Sequence, residues 1–262
     1  MQNFRYCQIF FVLFNLSNQQ AGDVADAPTY RPLYDNDPNL YELQKGQKPK
    51  HKELQIVIYG ESRGFGNKIS IQTIDIVFAA KAVGKVHKFR EGFNYWPVCH
   101  IEDNTSLYIS ILRAILGGQN PDHGKNGYYL ASPGRVNWND IYGAMAAALA
   151  KHEIVPRDQA LALPSDDTLG RIAEALGQAE KTSVEVTISG NCTFTAEHGK
   201  ALGWKPKHSP EDILANADRE VEFILGSFTE KHVGLRQICL EGGPAFWLGW
   251  SAFAERAKRG RY

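Results

Sequence analysis

Runs of apolar residues and helical repeats alternate along the middle of the chain. The uncharged run at 54–59 predicts a buried strand that ends in a glycine turn at 60–66. Residues 69–83 then have a helical pattern. Apolar positions at Leu107 and every fourth residue after it predict a second helix, which Asp103 or Asn104 would cap and Gly117 and Gly118 would end.

The second half of the chain continues this pattern with clear helix starts. Asn137 precedes a helical repeat that includes Ile141 and Met145, and Ser165 precedes another repeat. The remaining predicted elements are a strand at 127–131, a short helix at 193–202 that Gly203 ends, and a helix from Ser209 to Gly226. Strands that alternate with helices predict an α/β fold.

The N-terminal apolar run, from Cys7 to Leu16, has two interpretations. Its centre at 9–14 is β-branched and aromatic and carries no charge, as in a buried strand. A run of this length after Arg5 also suits the core of a signal peptide, although it is too short to cross a bilayer. We favour the strand.

Composition limits the expected partners and location. The chain has 262 residues, with 29 basic and 29 acidic side chains, so its formal net charge is zero. A protein that binds nucleic acid or acidic membranes would carry a basic excess, so we expect neither partner. Four scattered cysteines indicate reduced thiols and a cytoplasmic location. A small-molecule substrate is the expected partner.

Two arrangements of a nucleotide-binding site compete in the sequence. The glycines at 60–66 resemble the glycine-rich first turn of compact short-chain dehydrogenases, where a helix N-terminus approaches pyrophosphate. That arrangement needs a Tyr-x-x-x-Lys pair downstream, and none follows Gly66. The pair occurs once, upstream, as Tyr41 and Lys45.

In the second arrangement this pair belongs to an ordered series of stretches. Three of them are Tyr59-Gly60 with the following glycines and Asn67-Lys68-x-Ser70-Ile71-Gln72, His100-Ile-Glu-Asp103, and Leu202-Gly-Trp-Lys-Pro206. In this order they resemble the C-terminal part of extended short-chain dehydrogenases, specifically the fungal NAD-dependent epimerase/dehydratase-like proteins. The resemblance runs from about residue 9 to about residue 225 and depends on colinearity, because no single stretch is specific.

The resemblance implies a partial Rossmann-like (doubly wound) sheet, a smaller C-terminal α/β substrate lobe, and NAD or NADP as cofactor. Tyr41 would be the general acid and base, and Lys45 would stabilise its phenolate and bond the nicotinamide ribose. Ser17 would hold the substrate carbonyl or hydroxyl. Tyr59 would also contact the cofactor. Asn67 and His100 would contact the substrate.

Two features depart from the family pattern. Residues 56–58 are apolar where the family tends to carry prolines, and the glycine-rich cofactor half that the family places before Ser17 is absent. We expect an NAD(P)-dependent oxidoreductase or epimerase/dehydratase that acts on a small hydroxyl or carbonyl substrate. The alternative is a truncated, inactive homologue that serves as a binding or interaction protein.

The same series suggests how the chain is divided. Residues 1–66 would be the remainder of a Rossmann-like domain, and 67–226 a substrate-binding lobe whose strands return to the sheet. Residues 227–262 would form an aromatic and basic tail. A homodimer is compatible with the resemblance.

His100, Glu102 and Asp103 raise the question of a metal site. Adjacent side chains on a strand point to opposite faces, and no second histidine is near. We therefore expect no metal, and predict that Asp103 caps the helix while His100 lines a pocket.

Overall fold

The computed structural model describes residues 33–42, 56–62, 69–92, 94–157, 160–191 and 193–227. Several predicted features lie outside these ranges: Ser17, Lys45, Asn67, the apolar run at 9–14 and the tail after residue 227. The described residues as far as Val221 belong to one compact unit. The second unit is Glu222–Tyr262, and it contributes only the end of one helix to the described part.

The described strands form two small sheets. Their bounds are β1 (Leu33–Tyr34), β2 (Val57–Tyr59), β3 (Tyr95–His100), β4 (Gly134–Asn137) and β5 (Phe194–Thr195). Strand β3 is the centre of a mixed sheet in which β2 is its parallel neighbour and β4 its antiparallel neighbour. Strands β1 and β5 form a separate parallel pair.

Eight α-helices have both ends among the described residues, in addition to the helical residues 40–42. They are α1 (Ile71–Val83), α2 (Ile101–Leu116), α3 (Trp138–Lys151), α4 (Asp166–Ala175), α5 (Thr182–Ile188), α6 (Glu197–Ala201), α7 (Asp212–Ala215) and α8 (Ala217–Ser227). The chain is therefore mixed α/β, as predicted, whereas the doubly wound arrangement stays a prediction. None of the helices within the described ranges is long and apolar enough to cross a membrane.

Two of the predicted helix starts are confirmed by their hydrogen bonds. The Asn137 side chain accepts the backbone N–H of Asn139 at 2.9 Å, directly before α3. The Ser165 hydroxyl accepts the N–H of Thr168 at 3.2 Å, directly before α4. Such side chains satisfy backbone donors that have no partner within the helix.

Three other predicted elements are wrong in detail. The helix predicted over 193–202 covers only Glu197–Ala201, because Phe194–Thr195 form β5, which pairs with β1. Residues 127–131 form only an isolated β-bridge at Tyr128 rather than a strand. The backbone N–H of Leu130 donates to the Asp35 carboxylate and not to a neighbouring strand. The helix predicted from Ser209 begins later and is divided into α7 and α8. Both the N–H and the hydroxyl of Ser209 donate to the Asp212 carboxylate, which closes a turn ahead of α7.

Aromatic side chains pack β3 against α3. The Trp138 ring lies 6.2 Å from Trp96 on β3 and 5.8 Å from Tyr142, one turn along α3. Tyr142 is fully buried, and its hydroxyl donates to the carbonyl of Ile188 at the end of α5. Large buried rings contribute strongly to core stability, so this cluster fixes β3 in place.

Candidate functional site at the carboxyl ends of two parallel strands

Strands β2 and β3 end side by side. Tyr59 is the register partner of His100, and α2 begins at the residue after His100. The positive end of the α2 dipole therefore lies where both strands end. We call the group Tyr59, Gly60, His100 and His208 the carboxyl edge.

His100 caps α2. Its Nδ1 accepts the backbone N–H of Glu102 at 3.2 Å. The prediction that Asp103 caps this helix is wrong, because α2 starts earlier and Asp103 lies within its first turn. A ring that accepts at Nδ1 carries its proton on Nε2, so the cap bond selects the neutral Nε2–H form of His100.

Gly60 allows His100 to lie close to the end of β2. Its φ is +91°, a left-handed conformation that side chains disfavour. A Cβ at this position would come within 2.5 Å of His100 Nε2. The glycine is thus required both by the turn and by the approach of the imidazole ring.

Tyr59 forms a buried wall of the edge. Its ring contacts His100 edge-on, with centroids 5.2 Å apart, and its hydroxyl donates to the Ser209 carbonyl at 3.3 Å. Burial, and next the nearby Asp212 carboxylate, raise the pKa of Tyr59. Tyr59 therefore stays a neutral phenol, and its predicted contact with a cofactor remains a prediction.

Glu220 supports the same turn from α8. It is 6% exposed, and its carboxylate accepts the Thr73 hydroxyl at 3.2 Å and the backbone N–H groups of Gly60 and Ser70. Burial raises the pKa of Glu220, and these hydrogen bonds oppose the rise. One carboxylate thereby joins the end of β2 to the start of α1.

Asp103 fastens a distant loop to the first turn of α2. It is 1% exposed, and its carboxylate accepts the backbone N–H of Lys207 at 2.8 Å and that of His208 at 2.9 Å. The same loop is held by Trp204, whose Nε1–H lies 3.0 Å from the Asp103 carbonyl and 2.9 Å from the Ser106 hydroxyl. This role of Asp103 was not predicted, although both stretches involved belong to the colinear series.

The loop places a second histidine against the first. The His208 ring stacks on His100 with centroids 3.7 Å apart and planes 22° apart. The prediction that no second histidine lies near His100 is therefore wrong. His208 is distant in sequence, but the hydrogen bonds to Asp103 place it beside His100 at the end of β3.

His100, Glu102 and His208 have potential metal-ligand atoms that all lie within 4.8 Å of one another. An imidazole binds a metal along a lone pair in its ring plane. The two ring planes are nearly parallel, so their lone pairs do not converge on one ion unless a ring rotates. His100 Nδ1 would also have to give up the cap bond, or Nε2 its proton. The arrangement favours hydrogen bonding over metal ligation.

The electrostatics keep His100 neutral. Burial, and next the proximity of His208, lower the pKa of His100, while the carboxylates of Glu102 and Asp103 oppose this shift. A neutral His100 donates from Nε2 and accepts at Nδ1. This donor at the end of β3 suits a carbonyl or hydroxyl oxygen.

Tyr41 lies in a different group of side chains. It is 39% exposed, on a helical turn at 40–42. Burial, and next the nearby Tyr41, raise the pKa of Tyr128, whose carbonyl lies 2.7 Å from His198 Nδ1. The structure thus brings together Tyr59 and His100 among the predicted site residues, and describes no contact of Tyr41 with either.

Comparison of the chain with protein-family models, curated proteins and solved structures finds no match.

Proposed function

We propose that the chain is an NAD(P)-dependent oxidoreductase or epimerase/dehydratase of the extended short-chain dehydrogenase type. Its substrate is a small molecule with a hydroxyl or carbonyl group. One observation supports this most directly: the parallel strands β2 and β3 end together at Tyr59-Gly60 and His100. In open α/β sheets, ligands bind at the carboxyl ends of parallel strands.

The carboxyl edge has suitable groups for such a substrate. Neutral His100 carries an Nε2–H that donates to a carbonyl or hydroxyl oxygen. Gly60 leaves the space that a side chain would take from this nitrogen. In this proposal His100 and Asn67 bind the substrate.

The catalytic roles follow the resemblance stated for the sequence. Tyr41 exchanges the proton, Lys45 stabilises its phenolate, and Ser17 holds the substrate oxygen while hydride moves to or from the nicotinamide. Lys45 and Tyr59 contact the cofactor. The exposure of Tyr41 supports this role, because an acid–base group must reach its ligand.

A binding titration tests the cofactor. The purified 262-residue chain is titrated with NAD⁺, NADH, NADP⁺ and NADPH, and heat or quenching of tryptophan fluorescence is followed. We expect saturable binding of at least one oxidised and reduced pair. If none of the four binds, the enzyme proposal is removed and the alternative of a binding or interaction protein takes its place.

The Tyr41→Phe variant tests the catalytic assignment. We expect turnover on a panel of small alcohols and carbonyl compounds to fall by about 10²-fold or more, with cofactor binding retained. Tyr34→Phe is the matched control, because Tyr34 is 46% exposed on the nearby β1 and has no proposed role. Unchanged turnover in Tyr41→Phe would contradict the assignment even if the cofactor binds.

A further inference from the structure

Asp103 orients the His208 ring as well as the loop that carries it. Oδ2 of Asp103 lies 2.9 Å from His208 Nδ1, and the same carboxylate accepts two backbone N–H groups of the loop. Among the described residues, Asp103 is the only hydrogen-bond partner of the His208 imidazole. The carboxylate is buried and rigidly held, so the ring has one preferred orientation.

This contact also selects the tautomer of His208. A carboxylate accepts hydrogen bonds, so Nδ1 of His208 must carry the proton. Nε2 then has the lone pair. The side chain is 28% exposed, which leaves the ring accessible to a small molecule. A carboxylate that orients an imidazole in this way is the arrangement by which histidine acts as a general base.

The neighbouring ring does not compete for the proton. His100 accepts at Nδ1, so it is neutral, whereas an imidazolium donates from both nitrogens. A positive charge that forms on His208 therefore meets a neutral ring at 3.7 Å and the Asp103 carboxylate at 2.9 Å. Within the stacked pair, the lone pair that makes no hydrogen bond among the described residues is therefore that of His208 Nε2.

Carboxylates are among the charged groups near the pair. Those of Glu102, Asp103 and Asp212 favour a positive charge on His100 and oppose the lowering of its pKa by burial and by His208. Tyr59 is a neutral phenol that donates to the Ser209 carbonyl. The cation next to His208 in sequence is Lys207, and its backbone N–H bonds to Asp103.

We propose that His208 is a proton-transfer residue of the carboxyl edge and that Asp103 is its positioning residue. Nε2 takes the proton of a ligand hydroxyl group other than the one whose proton Tyr41 exchanges in the proposed function. The O–H bond breaks, and the imidazolium keeps its Nδ1–H on Asp103. In the reverse direction the imidazolium returns the proton to the oxygen. The ligand class rests on the proposed function, whereas the tautomer and reactivity of His208 do not.

Nitrogen NMR of the full chain tests the orientation. Near neutral pH we expect the two stacked histidines to have opposite tautomers, with the proton on Nδ1 in His208 and on Nε2 in His100. Asp103→Asn should convert His208 to a mixture of tautomers. A proton on Nε2 of His208 in the unsubstituted chain would overturn the proposal.

Hydrolysis of p-nitrophenyl acetate tests the free lone pair without any cofactor. Nε2 attacks the acetyl carbon and the C–O bond to p-nitrophenolate breaks. Water then cleaves the acetyl-imidazole to acetate and restores the ring. We expect His208→Asn to lower the histidine-dependent rate about tenfold or more, because the asparagine amide can still donate to Asp103 but has no Nε2.

Two comparisons make this result specific. His123→Asn removes an exposed histidine elsewhere in the fold and should leave the rate unchanged. His208→Gln, which loses the Nδ1 donor, should also be slow. If His208→Asn retains the full rate while remaining folded, the proposal is wrong. If the NAD(P) titration fails but these results hold, only the proposed function is lost.

Discussion

His100 and His208 lie face to face, with ring centroids 3.7 Å apart, although one ends a strand and the other belongs to a loop near α7. Two imidazolium rings at this separation repel each other. Burial and this neighbour lower the pKa of His100. The stability of the fold therefore depends on pH through this stack.

Protonation of His100 favours the unfolded chain, because the folded state lowers the pKa of this ring below its ordinary 6.5. The wild type should lose stability as the pH falls from 6.5 toward the pKa that His100 has in the folded state. His100→Asn keeps an acceptor for the Glu102 N–H but cannot ionise. Urea unfolding from neutral to mildly acidic pH should show that the free energy of unfolding of the wild type falls relative to that of the variant. A difference independent of pH would contradict this prediction.

Gly60→Ala should destabilise the fold by more than its backbone strain alone. A left-handed alanine costs about 1–2 kcal/mol. Gly84→Ala is the matched control, because Gly84 has φ +72° and no atom within 4 Å of the added Cβ. Urea unfolding of both variants measures the excess, which we assign to displacement of His100. Equal losses of stability in the two variants would show that the contact with His100 contributes nothing to the effect.

Trp204→Phe should cost about 1–2 kcal/mol through the lost Nε1 hydrogen bonds to Asp103 and Ser106. In a double-mutant cycle with Ser106→Ala, the two losses should not add. Trp138→Phe provides a comparison, because Trp138 is equally buried but its Nε1 has no hydrogen-bond partner among the described residues. Additive losses in the cycle would show that the Trp204–Ser106 bond contributes little.

Glu220→Gln tests the buried carboxylate. The folded state raises the pKa of Glu220 above its ordinary 4.5. The contribution of this group to the free energy of unfolding is therefore fully present below pH 4.5 and is lost as the pH rises through the pKa of the folded state. Between acidic and neutral pH, the stability of the wild type should fall relative to that of the variant. Glu222→Gln, at an exposed position on α8, is the matched control. Calorimetric unfolding across this pH range gives the comparison.

Local signals made part of this structure predictable. Asn137 and Ser165 are residue types whose side chains bond the N–H groups two or three positions ahead, so each helix start depends on a short stretch of chain. The apolar run that contains β2 was predictable for a similar reason. His100 was missed as a cap because imidazole is uncommon at that position.

The carboxyl edge depends on partners that are distant in sequence. A buried aspartate at position 103 gives no local sign that it will accept the N–H groups of Lys207 and His208. The strand predicted at 127–131 is reduced to an isolated bridge at Tyr128 for a similar reason, because the Leu130 N–H bonds to Asp35, which is distant in sequence. Only the order of the stretches around His100 and Trp204 hinted that they belong together.

During synthesis, the hydrogen bonds at the carboxyl edge cannot all form until Glu220 has been made. Its carboxylate is the acceptor for Gly60, Ser70 and Thr73, yet it follows Thr73 by 147 positions. At about 5–20 residues per second, a nascent chain carries the β2 turn for on the order of ten seconds before that acceptor is made. Until then water must hydrate those donors. The donors at the end of β2 therefore obtain their carboxylate acceptor only when α8, one of the last described helices, has left the ribosome.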